Sequence, residues 1–406
     1  MKRKTRNRFF SLLLLFCAFL LAAPPAFAAE KNVIKLGCAI AFTGNDSRTG
    51  KYYVDSYKYA VDKINEAGGV TVGGKSYKLE LKFYDDKSDP TESSRLVEKL
   101  LAEDKVNFLL GPYTSGITIP DSIVARRYRV PMIEGGGASG KIFDKGNKYI
   151  FGTLPPAGDY FASTLEFLKN QTPFAKKLAI LYADDKFDVS VGEGTKAKAP
   201  EMGFDVVLYE KYAEGTSDFS SILTKIKSEG VQAVLVAGHT EESINFVTQA
   251  KELNVSPYYL GLTVGPTEAD FRKALGKDAD YIYGVASWSP QMKFQGSIFK
   301  SNEEFVKDFE ARLGYDPDYH AASAIADIAV YKDAIERAGS LDREKVRDAI
   351  AKTDLQTIYG RVRFSPNGQI KGSSVVLQNL NGEISQVYPS LGGTKAVYPI
   401  PPWNKR

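Results

Sequence analysis

From Val33 onward, short apolar runs rich in β-branched residues alternate with longer segments whose apolar positions recur every three or four residues. Continuous apolar runs suit strands buried on both faces, and the 3.6-residue period suits helices laid against them. The pattern therefore predicts parallel sheets with helices on both sides. The first run is Val33-Ile34-Lys35-Leu36-Gly37-Cys38-Ala39-Ile40, with Cys38 expected to pack as a small buried residue. After a polar loop at 43–50, Tyr53, Tyr57, Ala60, Val61 and Ile64 mark one face of a helix. It should stop at Ala67-Gly68-Gly69, where glycine accepts the backbone turn that ends a helix. Strands are expected at 79–84, 106–110 and 130–133, with helices from Pro90 to Glu103 and from Ser115 to about Tyr128.

The rhythm restarts after Pro155-Pro156: strands at 178–182, 205–209, 233–237 and 258–262 alternate with helices from about Val189, at 219–227 and at 242–253. A third section, 302–353, holds three helical patterns, the longest from Tyr319 to Ala338. Beyond it, 359–378 reads as strands around the turn Pro366-Asn367-Gly368. These last pieces are too small to bury a core alone, so they should complete the two α/β units already begun. The chain would then cross between units near Gly152-Thr153, Ala286-Ser287 and Gly360, making a three-segment hinge. The expected fold class is α/β, two doubly wound parallel-sheet lobes. Lobe 1 would comprise 29–152 and 287–359, and lobe 2 would comprise 153–286 and 360–406.

The first residues change how the charge is read. Lys2, Arg3, Lys4, Arg6 and Arg8 precede an apolar run from Phe9 to Leu21, and Ala26-Phe27-Ala28 offers a small-residue cleavage site. That is the layout of a secretory signal peptide, residues 1–28, and it places the protein in the periplasm. Its removal takes five of the 53 Lys+Arg and none of the 49 Asp+Glu, so the formal charge of +4 belongs to the leader and gives no reason to expect nucleic acid as a partner. Cys17 leaves with the leader, so Cys38 has no intramolecular disulfide partner. Two His and two Cys cannot build a site that needs three or four imidazole or thiolate ligands. A carboxylate site for calcium or magnesium is still open on composition, but neither a metal nor a cofactor is expected, and a monomer is.

Two glycine-rich stretches match nucleotide-binding patterns by letter and fail by context. Gly69 to Ser76 fits a P-loop but follows a helix and precedes a strand, the reverse of the order that places a helix N-terminus on a phosphate. Gly135 to Gly140 fits GxGxxG, but the segment 141–149 is too short and broken for a crossover helix, so the glycines read as a flexible loop that a ligand can approach closely. No nucleophile elbow or HExxH occurs. The acid pairs Asp85-Asp86, Asp184-Asp185 and Glu241-Glu242 suit helix N-termini or solvated loops better than catalysis.

In an open parallel sheet, ligands collect beyond the carboxyl ends of the strands. Tyr113-Thr114-Ser115 lies at such an end, where hydroxyls and the N–H groups of a starting helix suit a carboxylate. Gly137, Ala138 and Ser139 lie one strand further along the same edge. From the second unit the corresponding edge would present Phe187, His239 and Thr263.

Taken in order, several segments resemble the type I periplasmic solute-binding proteins of ABC transporters, above all the leucine/isoleucine/valine-binding branch. They are Val33 to Gly37 with Phe42-Thr43-Gly44, Ala60 to Gly69, Tyr84-Asp85-Asp86, Gly111 to Ser115, and Tyr359 to Phe364. The resemblance implies a Venus-flytrap fold whose lobes close on a small ligand for a membrane permease. It also implies that Ser115, with Gly137, Ala138 and Ser139, holds the ligand carboxylate, that Phe187 covers it and that His239 touches it. Thr263 departs from the pattern, because the family commonly has an acid there to pair with an ammonium group. Glu134, Asp188 or Glu241 could take that role, or the ligand lacks the ammonium. The expectation is thus a carboxylate-bearing ligand, with an apolar or branched-chain amino acid slightly ahead of an aromatic or aliphatic organic acid. A ligand-sensing module of a signalling system and an exported hydrolase are the rivals.

Overall fold

The computed structural model describes residues 32–144, 146–391 and 393–406, so the expected signal peptide and its cleavage site lie outside them. Chain order gives β1 (Val33–Ile40), α1 (Ser47–Glu66), β2 (Val70–Val72), β3 (Lys75–Asp85), α2 (Pro90–Ala102), β4 (Phe108–Leu110), α3 (Ser115–Tyr128), β5 (Met132–Glu134) and β6 (Ile150–Gly152). These strands form one sheet in the order β2-β3-β1-β4-β5-β6. Its neighbours run parallel except for the β2–β3 pair. That hairpin turns at Gly73 and Gly74, with φ of 56° and 83°, the paired left-handed conformation of a tight two-residue turn. The P-loop-like letters therefore spell a hairpin.

The chain continues with α4 (Ala162–Lys169), β7 (Lys177–Ala183), α5 (Lys186–Lys198), β8 (Asp205–Tyr212), α6 (Ser220–Glu229), β9 (Ala233–Ala237), α7 (Thr240–Glu252), β10 (Tyr259–Leu262), α8 (Ala269–Leu275) and β11 (Tyr283–Ala286). Three helices come next, α9 (Asn302–Leu313), α10 (Tyr319–Ala338) and α11 (Arg343–Ala351), then β12 (Asp354–Thr357), β13 (Gly360–Arg363), β14 (Val375–Leu380) and β15 (Glu383–Tyr388). The second sheet has the order β15-β14-β11-β10-β9-β7-β8. Strands β7 to β11 in that sheet are parallel, and β14 and β15 are added antiparallel.

Central strands carry the apolar runs because both faces are covered: every residue of β9 is buried. The late helices return to the first sheet, with α10 packed on α1, β2 and β5. This alanine-rich helix has 15 buried residues, as expected of one enclosed by other elements. The chain therefore passes from the first sheet to the second after β6, back through α9–α11, and again to the second sheet at β14. Strands do flank Pro366-Asn367-Gly368, but they do not pair with each other: β13 pairs with β12, and β14 joins the second sheet. The segment after the turn is diverted by the end of β6, where the Gly152 N–H donates to the Gly368 carbonyl and the Ile370 N–H to the Gly152 carbonyl.

Candidate functional site

A doubly wound sheet opens a crevice where successive connections leave in opposite directions. In the first sheet that point lies between β1 and β4, and in the second between β7 and β9. The loops leaving these strands meet around one narrow chamber of about 10 Å³, about the room of a single water molecule. Tyr113, Thr114, Ser115, Gly136, Ala138, Leu154, Tyr160, Phe187, His239, Val264, Tyr319 and His320 line it.

At the anionic end of this chamber, Ser115 is fully buried in the first turn of α3, and its Oγ accepts the Ala138 and Ser139 N–H groups, both at 3.1 Å. With its lone pairs engaged, the hydroxyl proton is left to donate, and the two amide bonds polarise it toward an anion. Thr114, the N-cap, makes no side-chain cap, so the positive end of α3 also meets the chamber wall without a built-in counter-group. The loop can come this close only with glycine at 136, where a Cβ would stand 2.1 Å from the Pro112 carbonyl oxygen.

Aromatic rings form the walls. Tyr113 stacks on Tyr53 at 5.9 Å, and both histidines of the chain meet its ring edge-on with centroids at 5.5 Å. Across the cleft the Tyr113 hydroxyl bonds His239 Nδ1 at 2.8 Å, and Phe187 packs edge-to-face on Tyr160. His239 Nε2 lies 3.2 Å from Asp185, which caps α5, and 3.7 Å from the buried Asp188. Burial works against charge on all three groups, but the hydrogen bond to Asp185 and the acids around the ring hold the imidazole well above its ordinary range. Hydrogen bonds from Asp188 and His239 keep Asp185 below the usual carboxylate range. Burial and the neighbouring Asp185 push Asp188 well up. Among the described residues no aspartate or glutamate lines the chamber, and His239 in its wall is biased toward the cation.

A second cluster surrounds His320, whose Nδ1 lies 2.6 Å from Asp318 and 3.8 Å from Glu268. Glu268 is fully buried and bridges the sheets through Thr49 and Thr240, each at 2.8 Å. Burial raises its carboxyl to about 7.

The profile described as periplasmic binding protein matches residues 33–383. The chain belongs to that family. It is accordingly a solute-binding transport component and not an enzyme. A leucine-, isoleucine-, valine-, threonine- and alanine-binding protein of Pseudomonas aeruginosa is 27% identical over 365 residues, 88% of this chain and 92% of that one. The substrate-binding protein LivJ of a branched-chain amino acid transporter from Streptococcus pneumoniae, solved with isoleucine, superposes with a TM-score of 0.76 at 22% identity, covering 90% of this chain and all of that one. A solute-binding protein of an ABC transporter from R. palustris, solved with benzoate, gives 0.78 at 19% identity, covering 87% and 95%.

Within this periplasmic binding fold the expected site residues divide. Tyr113, Thr114, Ser115, Ala138, Phe187 and His239 line the chamber, whereas Gly137, Ser139 and Thr263 are not among its lining residues. Gly137 donates its N–H to Glu134 at 2.6 Å, and Ser139 reaches across the cleft to Ser190 at 2.8 Å. Thr263 is buried with its hydroxyl spent on the Gly238 carbonyl at 3.0 Å. Glu134 and Asp188 are buried and pushed well up by that burial, and Glu241 sits at the lip with Arg48. None of the three acids considered for an ammonium partner lines the chamber. Sequence reasoning missed Gly136, Leu154, Tyr160, Val264, Tyr319 and His320. The available signal was His320 itself, one of two histidines, placed after Asp318 at the start of the longest helical pattern.

Proposed function

We propose that this protein captures a small carboxylate-bearing solute between two lobes and delivers it to the membrane permease of an ABC transporter. In this reading lobe 1 comprises 33–152 and 287–359, lobe 2 comprises 153–286 and 360–406, and the three crossings form the hinge. The observation that carries the reading is the chamber wall: a buried serine hydroxyl backed by two amides, an uncapped helix start, a histidine biased toward the cation and, among the described residues, no acid. Such a wall stabilises an anion and leaves an ammonium group without a counter-charge. This favours an organic acid over an amino acid, against the slight preference drawn from the resemblance. The isoleucine-bound and benzoate-bound relatives represent both kinds of ligand, and so leave the choice to this chain's own residues.

Leucine and 4-methylpentanoate test it, since they differ only in the ammonium group. Isothermal titration of the purified mature protein should show 4-methylpentanoate binding at least about tenfold tighter, the unpaired ammonium costing roughly 2 kcal/mol or more. Tighter leucine binding would return the amino-acid reading. If no carboxylate binds, and mass spectrometry of the molecule retained through purification finds no acid group, the proposal fails.

A further inference from the structure

The loops leaving the paired strands β7 and β9 bring one imidazole and two carboxylates together beside the chamber. Asp185 is the N-cap of α5, Asp188 lies in its first turn, and His239 is the N-cap of α7. One ligand atom from each lies within 4.8 Å of the others. Composition excludes sites that need several imidazoles or thiolates, but a mixed site of this kind needs only one histidine. Asp188 sets the cluster apart from an ordinary group of surface acids. It is fully buried, and neither of its carboxyl oxygens has a hydrogen-bond partner. Buried carboxyl groups left in that state are uncommon and costly.

The spacing of the three groups points to what satisfies them. A charge-assisted N–H···O bond closes to about 2.7–2.9 Å, whereas His239 Nε2 stands 3.2 Å from Asp185 and 3.7 Å from Asp188. A tetrahedral ion bonded at about 2.0–2.2 Å to imidazole and carboxylate holds neighbouring ligand atoms roughly 3.3–3.6 Å apart. The outer groups are also those of a metal site. The far ring nitrogen, Nδ1, is held by the Tyr113 hydroxyl at 2.8 Å, and the other Asp185 oxygen accepts the Phe187 and Asp188 N–H groups at 2.6 and 3.0 Å. His239 lines a second pocket as well, of about 80 Å³, with Asp46, Glu214, Glu241 and Glu242. Arg48 pairs with Glu241, but among the described residues no lysine or arginine lines that pocket, so it offers a cation an acidic route to the three ligands.

We infer that Asp185, Asp188 and His239 bind a first-row divalent cation of the zinc class. One nitrogen with two carboxylates suits zinc better than calcium, which takes six to eight oxygen ligands. The ion ties the start of α5 to the start of α7, and with them the Phe187 and His239 wall of the chamber, whichever solute the chamber takes. With it in place Nε2 carries no proton, and the positive centre beside the chamber is the ion itself.

Isothermal titration of the mature protein, prepared without a polyhistidine tag and freed of metal by a chelator, should show one zinc ion bound per chain, with calcium at least about 100-fold weaker. Asp188→Asn and His239→Gln should each weaken zinc at least about 100-fold, and Glu241→Gln by no more than about threefold. If the variants do not fold, nitrogen NMR of the imidazoles in the unaltered protein decides. Zinc should move the Nε2 resonance of one ring, because His239 faces its acids with Nε2 and His320 faces Asp318 and Glu268 with Nδ1. No zinc uptake overturns the inference and leaves a proton on Asp188 to balance the pair. Zinc lost with Glu241 but not with Asp188, or an Nδ1 shift in place of Nε2, overturns it too. Acid binding to a protein that takes no zinc sinks this inference alone, and zinc binding to a protein that takes no acid sinks the proposed function alone.

Discussion

Replacing Ser115 with alanine separates the binding role of this residue from its structural one, because the structure gives it both. In the ligand-free protein the Oγ accepts two buried N–H groups, from Ala138 and Ser139, at 3.1 Å each. Losing it strands two donors, each worth about 1–3 kcal/mol when unsatisfied, with part recovered if the 136–139 loop relaxes. The remaining hydroxyl proton is the group directed at the ligand anion, and a hydrogen bond to a charged partner is worth about 1.5–3 kcal/mol. Ser115→Ala should therefore lower the denaturation midpoint and, separately, weaken carboxylate binding by roughly 10- to 150-fold. Urea melts in the absence of ligand give the first quantity and isothermal titration of the folded variant the second. A variant that is destabilised yet binds within twofold of the unaltered protein would refute the assignment and leave Ser115 as a structural tie.

Other perturbations read other parts of the same site. Glu268 has an ordinary value of 4.5 and is raised by burial to about 7, so the folded state holds the extra proton, and stability must fall as pH rises from about 4.5 through 7. Glu268→Gln should flatten that slope by at most about 3 kcal/mol in urea melts between pH 5 and 8, and an unchanged slope would show that the carboxyl is not buried as described. Tyr113→Phe removes the hydroxyl that meets His239 at 2.8 Å across the cleft, and small-angle scattering of the ligand-free variant should show a more open average shape than the parent. Gly136→Ala forces a Cβ to within 2.1 Å of the Pro112 carbonyl oxygen, so it should cost about 1–3 kcal/mol or more of stability and weaken ligand binding together, because Tyr113 and Ser115 move with that loop.

Much of the architecture was legible because parallel central strands must be apolar on both faces. Runs such as 233–237 and 258–262 announce themselves, the longest late helical pattern, 319–338, matches α10 end to end, and the section 302–353 holds the three expected helices. The elements that escaped were short or one-sided. β2 and β6 have three residues each, and β15 alternates exposed and buried positions at a sheet edge. The site divided along the same line. Tyr113, Ser115, Phe187 and His239 follow from one rule, that ligands gather at the carboxyl ends of parallel strands where the winding reverses. Gly137, Ser139 and Thr263 obey the same rule but are spent on Glu134, Ser190 and Gly238, which only packing reveals. Tyr160 arrives from a turn in the first crossover and His320 from α10, a helix whose unit could not be assigned until the chain was seen to return to the first sheet.

The contacts across the cleft bear on why closure should depend on a ligand. They include Tyr113 with His239, Thr49 with Glu268, Ser139 with Ser190, Thr267 with Asp318, the Ala269 N–H with the Tyr52 hydroxyl, the ion pairs Arg48–Glu241 and Arg272–Asp316, and the buried Glu268 3.8 Å from His320. Each neutral bond nets only about 0.5–1.5 kcal/mol, because opening returns both partners to water. Arg48 and Glu241 are roughly half exposed, and such a pair contributes about 0–1 kcal/mol. In the proposed two-lobe reading, the cost of ordering the lobes and drying Ser115, His239 and His320 offsets part of this. Moving a nearly balanced pair of states almost wholly to one side takes about 5.5 kcal/mol of preferential binding at most. One charge-assisted bond at Ser115, the positive centre at His239 nearby and an apolar body buried among the rings can supply that.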